Sequence, residues 1–579
     1  MQSLLSEAKK AEEDPHGVPQ HHLTPAQMTL LIAYLTCVFA WLAHLLTDVA
    51  ELDLFWRRKT TTSDILTNCL VECGNKSETK DDLPEQDTSL HQPRLSEEVV
   101  SSQINHLKED IKHRHDQTGT AEDNEGSKKS RSPSVTGKHV AERQPPPAAV
   151  TLNKFMSSGT LFGLILIYFF LCDYAKIFPQ GERSYSRDTF LFLVFIFFLA
   201  GCAFTLKSNP DKILNRDQTE EWKGWMQVMF VWYHYFMAKE WYNWIRIYIA
   251  CYVWMTGFGN FSFFWVRNDF SLLRLLKMMF RLNFLVTFVA LTTNNEYMLY
   301  YICAMHTYWF LSTYIFMRTL NSWNRSSSLM AVKFLVYAIC NAVIFDIPGV
   351  TYYVFRPFTF ILGFHDRSED ILHEWTFRAG LDHWACFFGM LCAYNYPHFE
   401  AFMKYLDSKS MNEKDKAIKI TLRILLIIGC TLAGVLWYSV FMWRDKISYN
   451  MTHPYSSMIP IAIFIVLRNV HPVLRSYHVN MFAWLGKITL ETYLSQLHIY
   501  LLANARTLLV FLVGYPLLNF ALATITYLFV SHTLFTITND FSNFLIPNDN
   551  KKLLSNLMYI VIVFSVSGLF AYCTSASYT

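Results

Sequence analysis

Residues 221–236 read EWKGWMQVMFVWYHYF, and the fold turns on whether such a run packs in water or in lipid. Most of it is bulky and apolar, yet it keeps Lys223, Gln227 and His234. The surrounding chain favours lipid. Its 579 residues are 52% hydrophobic and 16% aromatic, and only 17% are charged, against about 25% in globular chains. A soluble chain of this length would divide into several domains with charged surfaces. The mean hydropathy of +0.17 is diluted by one polar region of about a hundred residues. The formal net charge of +3 gives no sign of a nucleic-acid partner. Cys37, Cys202, Cys251, Cys303, Cys340 and Cys430 lie within apolar runs and read as small packing residues.

Three regions follow. Residues 1–46 hold a polar leader and a first apolar segment, Met28 to Leu46. This segment lacks the basic start and small-residue cleavage site of a removable signal, so it reads as a retained span. Residues 47–152 are rich in Ser, Lys, Glu and Asp and pass to Pro145-Pro146-Pro147. Such a composition cannot bury enough apolar area to offset ordering entropy, and a largely disordered loop is expected. Within it, Val100, Ile104, Leu107 and Ile111 recur at the spacing of an amphipathic helix. Cys69 and Cys73 could form a disulfide in an oxidising lumen, and their spacing carries no metal signature, so no metal is expected. Arg57, Arg58 and Lys59 favour a cytosolic position for the loop, whereas the Asn75-Lys-Ser sequon would act only in a lumen.

Residues 153–579 contain thirteen apolar stretches. A crossing of about 30 Å of hydrocarbon needs about 20 helical residues. The expected fold is therefore all-α, a polytopic helical bundle with about 12–14 transmembrane helices by that length criterion. No internal repeat is evident, so an inverted-repeat transporter is not supported.

Polar groups within spans are costly and face the bundle interior, which makes them the main functional signal. Lys223, Gln227 and His234 share a stripe on one helix face. In GKITLETYLSQLHIY (486–500), Lys487, Glu491 and His498 also share a side. Glu374, Arg378 and Asp382 form an i, i+4, i+8 ladder. In TGFGNFSFF (256–264), the glycines and Asn260 are expected to break a span beside a cavity. Arg274, Lys277 and Arg281 lie on one face near Asn283, suited to a phosphate group or to snorkelling. His306 is a solitary further candidate. For each stripe the plain alternative is structural: neutralisation within the helix for Lys487 and Glu491, or an interhelical hydrogen bond for His234. Together these groups imply a polar cavity in which histidine abstracts a proton or accepts an acyl group.

The segments SYSRDTFLF (184–192), EWKGWMQ (221–227), YVWMTGFGNFS (252–262), FRLNF (280–284), NNEYMLYYIC (294–303), HEWTFRAGLD (373–382) and FAWLGKITLETYLSQLHIY (482–500) resemble the plant reduced-wall-acetylation proteins. The resemblance runs from about residue 155 onward. The membrane module is also similar to those of the fungal capsule O-acetylation protein and the vertebrate sialate O-acetyltransferase. It implies a multi-pass Golgi membrane protein that O-acetylates polysaccharides, with cytosolic acetyl-CoA as donor and, as possible partners, separate lumenal acetyltransferases. Larger relatives carry a lumenal SGNH-type domain after the first span. Residues 47–152 stand in its place without a GDS-type nucleophile motif, and the resemblance puts this interval in the lumen.

The expected mechanism seats CoA phosphates on Arg274, Lys277 and Arg281. His234 or His498 handles the acetyl group, with Glu491 and the Glu374–Arg378–Asp382 ladder orienting them. The rival expectations are a transporter that moves the donor without covalent chemistry, and a scaffold for separate acetyltransferases.

Overall fold

The computed structural model describes residues 23–43, 45, 150–362 and 372–576. Arg57–Lys59, Cys69, Cys73, Asn75 and the Val100–Ile111 repeat lie outside these residues. Helix α1 spans Pro25–Ala43, and α2, Leu152–Phe169, continues into a π turn at Phe170–Tyr174. Next come α3 (Arg187–Phe204), α4 (Arg216–Phe236), α5 (Tyr242–Arg267) and α6 (Leu272–Thr293). They are followed by α7 (Tyr301–Arg318), α8 (Ser327–Phe345), the short α9 (Val350–Phe355) and α10 (His373–Asp407). The rest comprises α11 (Glu413–Trp437), α12 (Lys446–Ser456), α13 (Met458–Asn469), α14 (Asn480–Lys487) and α15 (Thr489–Ile499), then α16 (Pro516–Leu545) and α17 (Asn550–Ala576). Four strands of two or three residues, β1 (Gln180–Gly181), β2 (Leu206–Ser208), β3 (Tyr477–Val479) and β4 (Leu508–Leu509), form the antiparallel pairs β1–β4 and β2–β3. These pairs flank α3 and so mark opposite ends of the bundle. The fold is an all-α polytopic membrane bundle.

Among the described residues, eight helices are both long and apolar enough to cross a bilayer: α1, α2, α3, α6, α8, α11, α16 and α17. Four more, α4, α5, α7 and α10, have 21, 26, 18 and 35 residues but are too polar to stand in lipid alone. They form the interior, where neighbouring helices replace lipid. Each contributes one fully buried tryptophan: Trp222, Trp254, Trp309 and Trp375. The long helices thus separate into an apolar outer layer and a polar inner one.

Glycine sets how closely the inner helices approach. A Cβ on Gly257 of α5 would collide with the Cys386 carbonyl oxygen of α10, and one on Gly389 would collide with the Trp254 carbonyl. Likewise, Gly224 of α4 meets the Phe482 carbonyl and Gly486 of α14 meets that of Glu220. In a bilayer, where burial of apolar surface does not drive association, such close backbone contact holds helices together. This corrects the expected break in TGFGNFSFF. Helix α5 runs unbroken through it, and Asn260 donates back to the Thr256 carbonyl at 2.9 Å within the same helix.

Candidate active site

The ends of α2, α4 and α6 and the segment after α15 meet at the β1–β4 end of the bundle. The π turn that finishes α2 carries Asp173, and its Ala175 N–H bonds the Phe170 carbonyl at 2.9 Å. Single π turns of this kind recur at functional sites. Helix α6 closes with Asn294 at φ 54°, a left-handed conformation that asparagine tolerates better than most residues. That turn presents Asn295.

Asp173 is the node of a buried polar network. Its Oδ2 lies 3.1 Å from His498 Nδ1 and accepts from Asn295 Nδ2 at 3.1 Å. Its Oδ1 accepts the Ala503 N–H at 2.9 Å. The other ring nitrogen, His498 Nε2, lies 2.8 Å from the Tyr300 hydroxyl. A carboxylate can only accept, so His498 Nδ1 carries the proton toward Asp173 and Nε2 accepts from Tyr300. His498 and Tyr300 are fully buried. Asp173, Asn295 and Ala503 border a cavity of about 300 Å³ that also touches Lys176 and Asn504.

His234 occupies a second cavity, of about 490 Å³, whose polar lining includes Glu296, His373, Glu374, Arg378 and Gln496. Among the described residues its imidazole has no hydrogen-bond partner; only its backbone carbonyl is engaged, by Arg183 at 3.2 Å. Phe230 and Tyr233 pack edge-on against the ring. The Gln496 side-chain oxygen is buried here without a partner. Arg378 pairs with Glu374 at 3.0 Å and stacks over the Tyr301 ring at 4.4 Å. The two cavities have no lining residue in common, but neighbouring residues of the same two segments line them: 293–295 and 502–504 the first, and residues within 296–301 together with 496, 497 and 505 the second. His498 and Tyr300 belong to these segments.

The expected ladder is therefore split. Glu374 and Arg378 face the His234 cavity, but Asp382 is turned away, because positions eight apart diverge by about 80° around a helix. It forms a separate buried cluster with Arg246 at 3.0 Å and His453 at 3.3 Å. Lys487 and Glu491 do not pair, since α14 and α15 are interrupted at Ile488 and Lys487 is exposed. Glu491 instead holds Arg281 of α6 in a two-pronged pair, with Nη2–Oε2 at 3.0 Å. Arg274 rests over Phe263 at 4.0 Å, and Lys277 reaches Asn548 at 3.0 Å. These two cations sit about 24–28 Å along α6 from Thr293, at the far end of the bundle. Lys223 pairs with Glu220 at 2.6 Å, and the Gln227 amide nitrogen is buried without a partner. Asn283 joins Thr307 at 3.0 Å and Tyr297 at 2.8 Å. His306 is held to Thr256 at 2.7 Å.

The residues missed by sequence reasoning are Asp173, Tyr300, Asn295 and Arg246. Asp173 is the lone acid in LCDYAK at the end of an apolar span, and that isolation is the signal that could have found it. No group of three or more His, Cys, Asp or Glu side chains suited to a metal occurs among the described residues.

Residues 91–558 match the model of the family described as the 10 TM acyl transferase domain found in Cas1p. The chain belongs to this family. It is also similar to the N-acetylneuraminate (7)9-O-acetyltransferase of Danio rerio, at 32% identity over 454 residues, covering 74% of this chain and 56% of the relative. The chain thus spans just over half the length of that relative. No solved structure matches it. The matched range includes every residue that lines the His234 cavity and every residue of the Asp173–His498–Tyr300 network.

Proposed function

We propose that this protein is a membrane O-acetyltransferase that takes acetyl from acetyl-CoA and esterifies a glycan hydroxyl. One observation carries the assignment of the reacting group. His234 faces a cavity large enough for a small ligand and has a free imidazole, whereas His498 uses both ring nitrogens within the protein. In this reading the His234 nitrogen attacks the thioester carbonyl, the C–S bond breaks, and CoA departs as the thiol after taking up a proton. The acceptor hydroxyl then attacks the acyl-imidazole, an ester C–O bond forms, and the hydroxyl proton is released as the imidazole is restored. Arg378 lies beside the developing oxyanion, where a preorganised cation is most effective. The Asp173–His498–Tyr300 network positions the two segments that wall the cavity.

Arg274 and Lys277 would hold the phosphates of a donor presented from the far end. The Arg281–Glu491 and Lys223–Glu220 pairs then form a polar interior between the two ends. The motif resemblance supports a polysaccharide acceptor in the Golgi, including cell-wall glycans, and a lumenal partner acetyltransferase as an alternative recipient. The zebrafish relative supports a glycan acceptor more broadly.

Reconstituted vesicles separate this reading from a donor transporter. With doubly labelled acetyl-CoA outside and glycan inside, the enzyme gives internal acetyl ester while the CoA label stays outside. Intact CoA accumulating inside, with no ester formed, would replace this reading by transport.

A further inference from the structure

Another cavity lies outside the site just described. It measures about 580 Å³ and is walled by α7, α8, α9 and the first turn of α10. Its inner end is formed by Tyr297, Tyr308, Phe355 and Trp375, and its outer end by Trp323 and Lys333. Rim residues Ile315, Val336 and Ile361 are exposed on the outer surface of the bundle, so the cavity opens sideways toward lipid. A space lined this way offers water too few polar partners to be hydrated.

Lys333 is the exception. It is only 8% exposed, and among the described residues it has no acidic partner. Its ammonium donates to the Thr319 carbonyl at 2.9 Å and the Asn324 side-chain oxygen at 2.6 Å, and it lies 4.9 Å from the Phe316 ring centre. Two neutral oxygens leave one of three N–H donors and the full positive charge uncompensated. An unpaired buried cation is expensive unless an anion completes it. Lys333 lies about 9 Å into α8, but its side chain reaches back, because Thr319 caps the end of α7 and Asn324 lies in the connection between α7 and α8. The ammonium therefore sits level with these helix ends, near headgroup depth. About 18 Å of α8 continues from Lys333 to Phe345.

We propose that this cavity binds one chain of an anionic phospholipid, with the phosphate at Lys333 and the acyl chain running along α7 and α8 toward Trp375. Apolar volume, a sideways opening and a single uncompensated cation at headgroup depth together fit an amphiphile of that charge. Basic pockets between transmembrane helices take lipid headgroups for this reason.

Native mass spectrometry of the full chain, purified in mild detergent after exposure to equal phosphatidylglycerol and phosphatidylcholine, tests the site. One retained phosphatidylglycerol per wild-type chain is expected. Lys333→Met should lower its retention about tenfold, the loss of one charge-assisted hydrogen bond. Leu311→Trp fills the cavity while leaving Lys333 in place, and should do the same; it keeps the test decisive if Lys333→Met fails to fold. Equal retention of both lipids, absence of bound lipid in the wild type, or wild-type retention by Leu311→Trp would overturn the proposal.

Discussion

Asp173→Asn is nearly isosteric, so its effect can be worked from the hydrogen bonds alone. The carboxylate accepts from three donors: His498 Nδ1 and Asn295 Nδ2 on one oxygen, and the Ala503 N–H on the other. A carboxamide offers one oxygen and one NH₂. If the oxygen faces His498, the NH₂ meets the Ala503 N–H; if it faces Ala503, the NH₂ meets His498 and Asn295. At least one buried donor is orphaned either way, at a cost of about 1–3 kcal/mol. The second arrangement also forces His498 into the opposite tautomer, so Nε2 donates to Tyr300 and the phenol proton must turn away. Loss of such an orienting carboxylate lowers rates about 10–100-fold, equivalent to about 1.4–2.7 kcal/mol. The assay is transfer of labelled acetyl to glycan in proteoliposomes, with thermal melting in detergent measured in parallel. Tyr300→Phe should give a loss of similar size that does not add to that of Asp173→Asn, because coupled residues are non-additive. An Asp173→Asn protein that melts at the wild-type temperature and transfers acetyl within twofold of wild type would refute the reasoning.

Arg281→Met should destabilise the fold by about 3–5 kcal/mol by leaving the fully buried Glu491 carboxylate alone. Arg281→Met with Glu491→Gln should recover most of that loss, read as melting temperature in one detergent. Gly224→Ala should cost about 1–3 kcal/mol, since the added methyl meets the Phe482 backbone, which cannot yield without shifting α14; unchanged melting would show that the α4–α14 contact is looser than described. Hydrogen bonds from Arg187, then Tyr185, hold the Glu240 carboxyl below its ordinary value. A depressed carboxyl stabilises the fold above its unfolded value of 4.5 and loses that contribution as pH falls through the lower folded value. Glu240→Gln should therefore lower the melting temperature at neutral pH and flatten the acid limb of a melting-against-pH curve, the variant and wild-type curves converging at low pH.

The outer layer of this bundle is written plainly in the sequence, because lipid demands about 20 apolar residues in a row. The inner helices were harder to read, since a span covered by protein is released from that demand. Gly257 illustrates the difficulty: glycine weakens a solitary helix by about 1 kcal/mol relative to alanine, so it read as a break, whereas here it lets α5 touch α10. Helical spacing brought Lys223, Gln227 and His234 onto one stripe, but it could not say which neighbours they would meet. Glu491 found Arg281, 210 positions away, rather than Lys487 four positions away. Asp173 and His498 are 325 residues apart, beyond the reach of any local pattern. His234 and His498 stand out because an imidazole in lipid needs a reason, and the two have different surroundings: a cavity for His234 and a hydrogen-bond network for His498.

The central claim is that the free imidazole of His234 meets the acetyl group while His498 stays locked in its network. Single-turnover incubation of purified protein with labelled acetyl-CoA, followed by addition of glycan, tests it most directly. The wild type should release one equivalent of free CoA, retain label on His234, and pass it to the glycan; His234→Gln should do none of these while melting normally. Wild-type transfer by His234→Gln, or label found on another residue, would contradict the account.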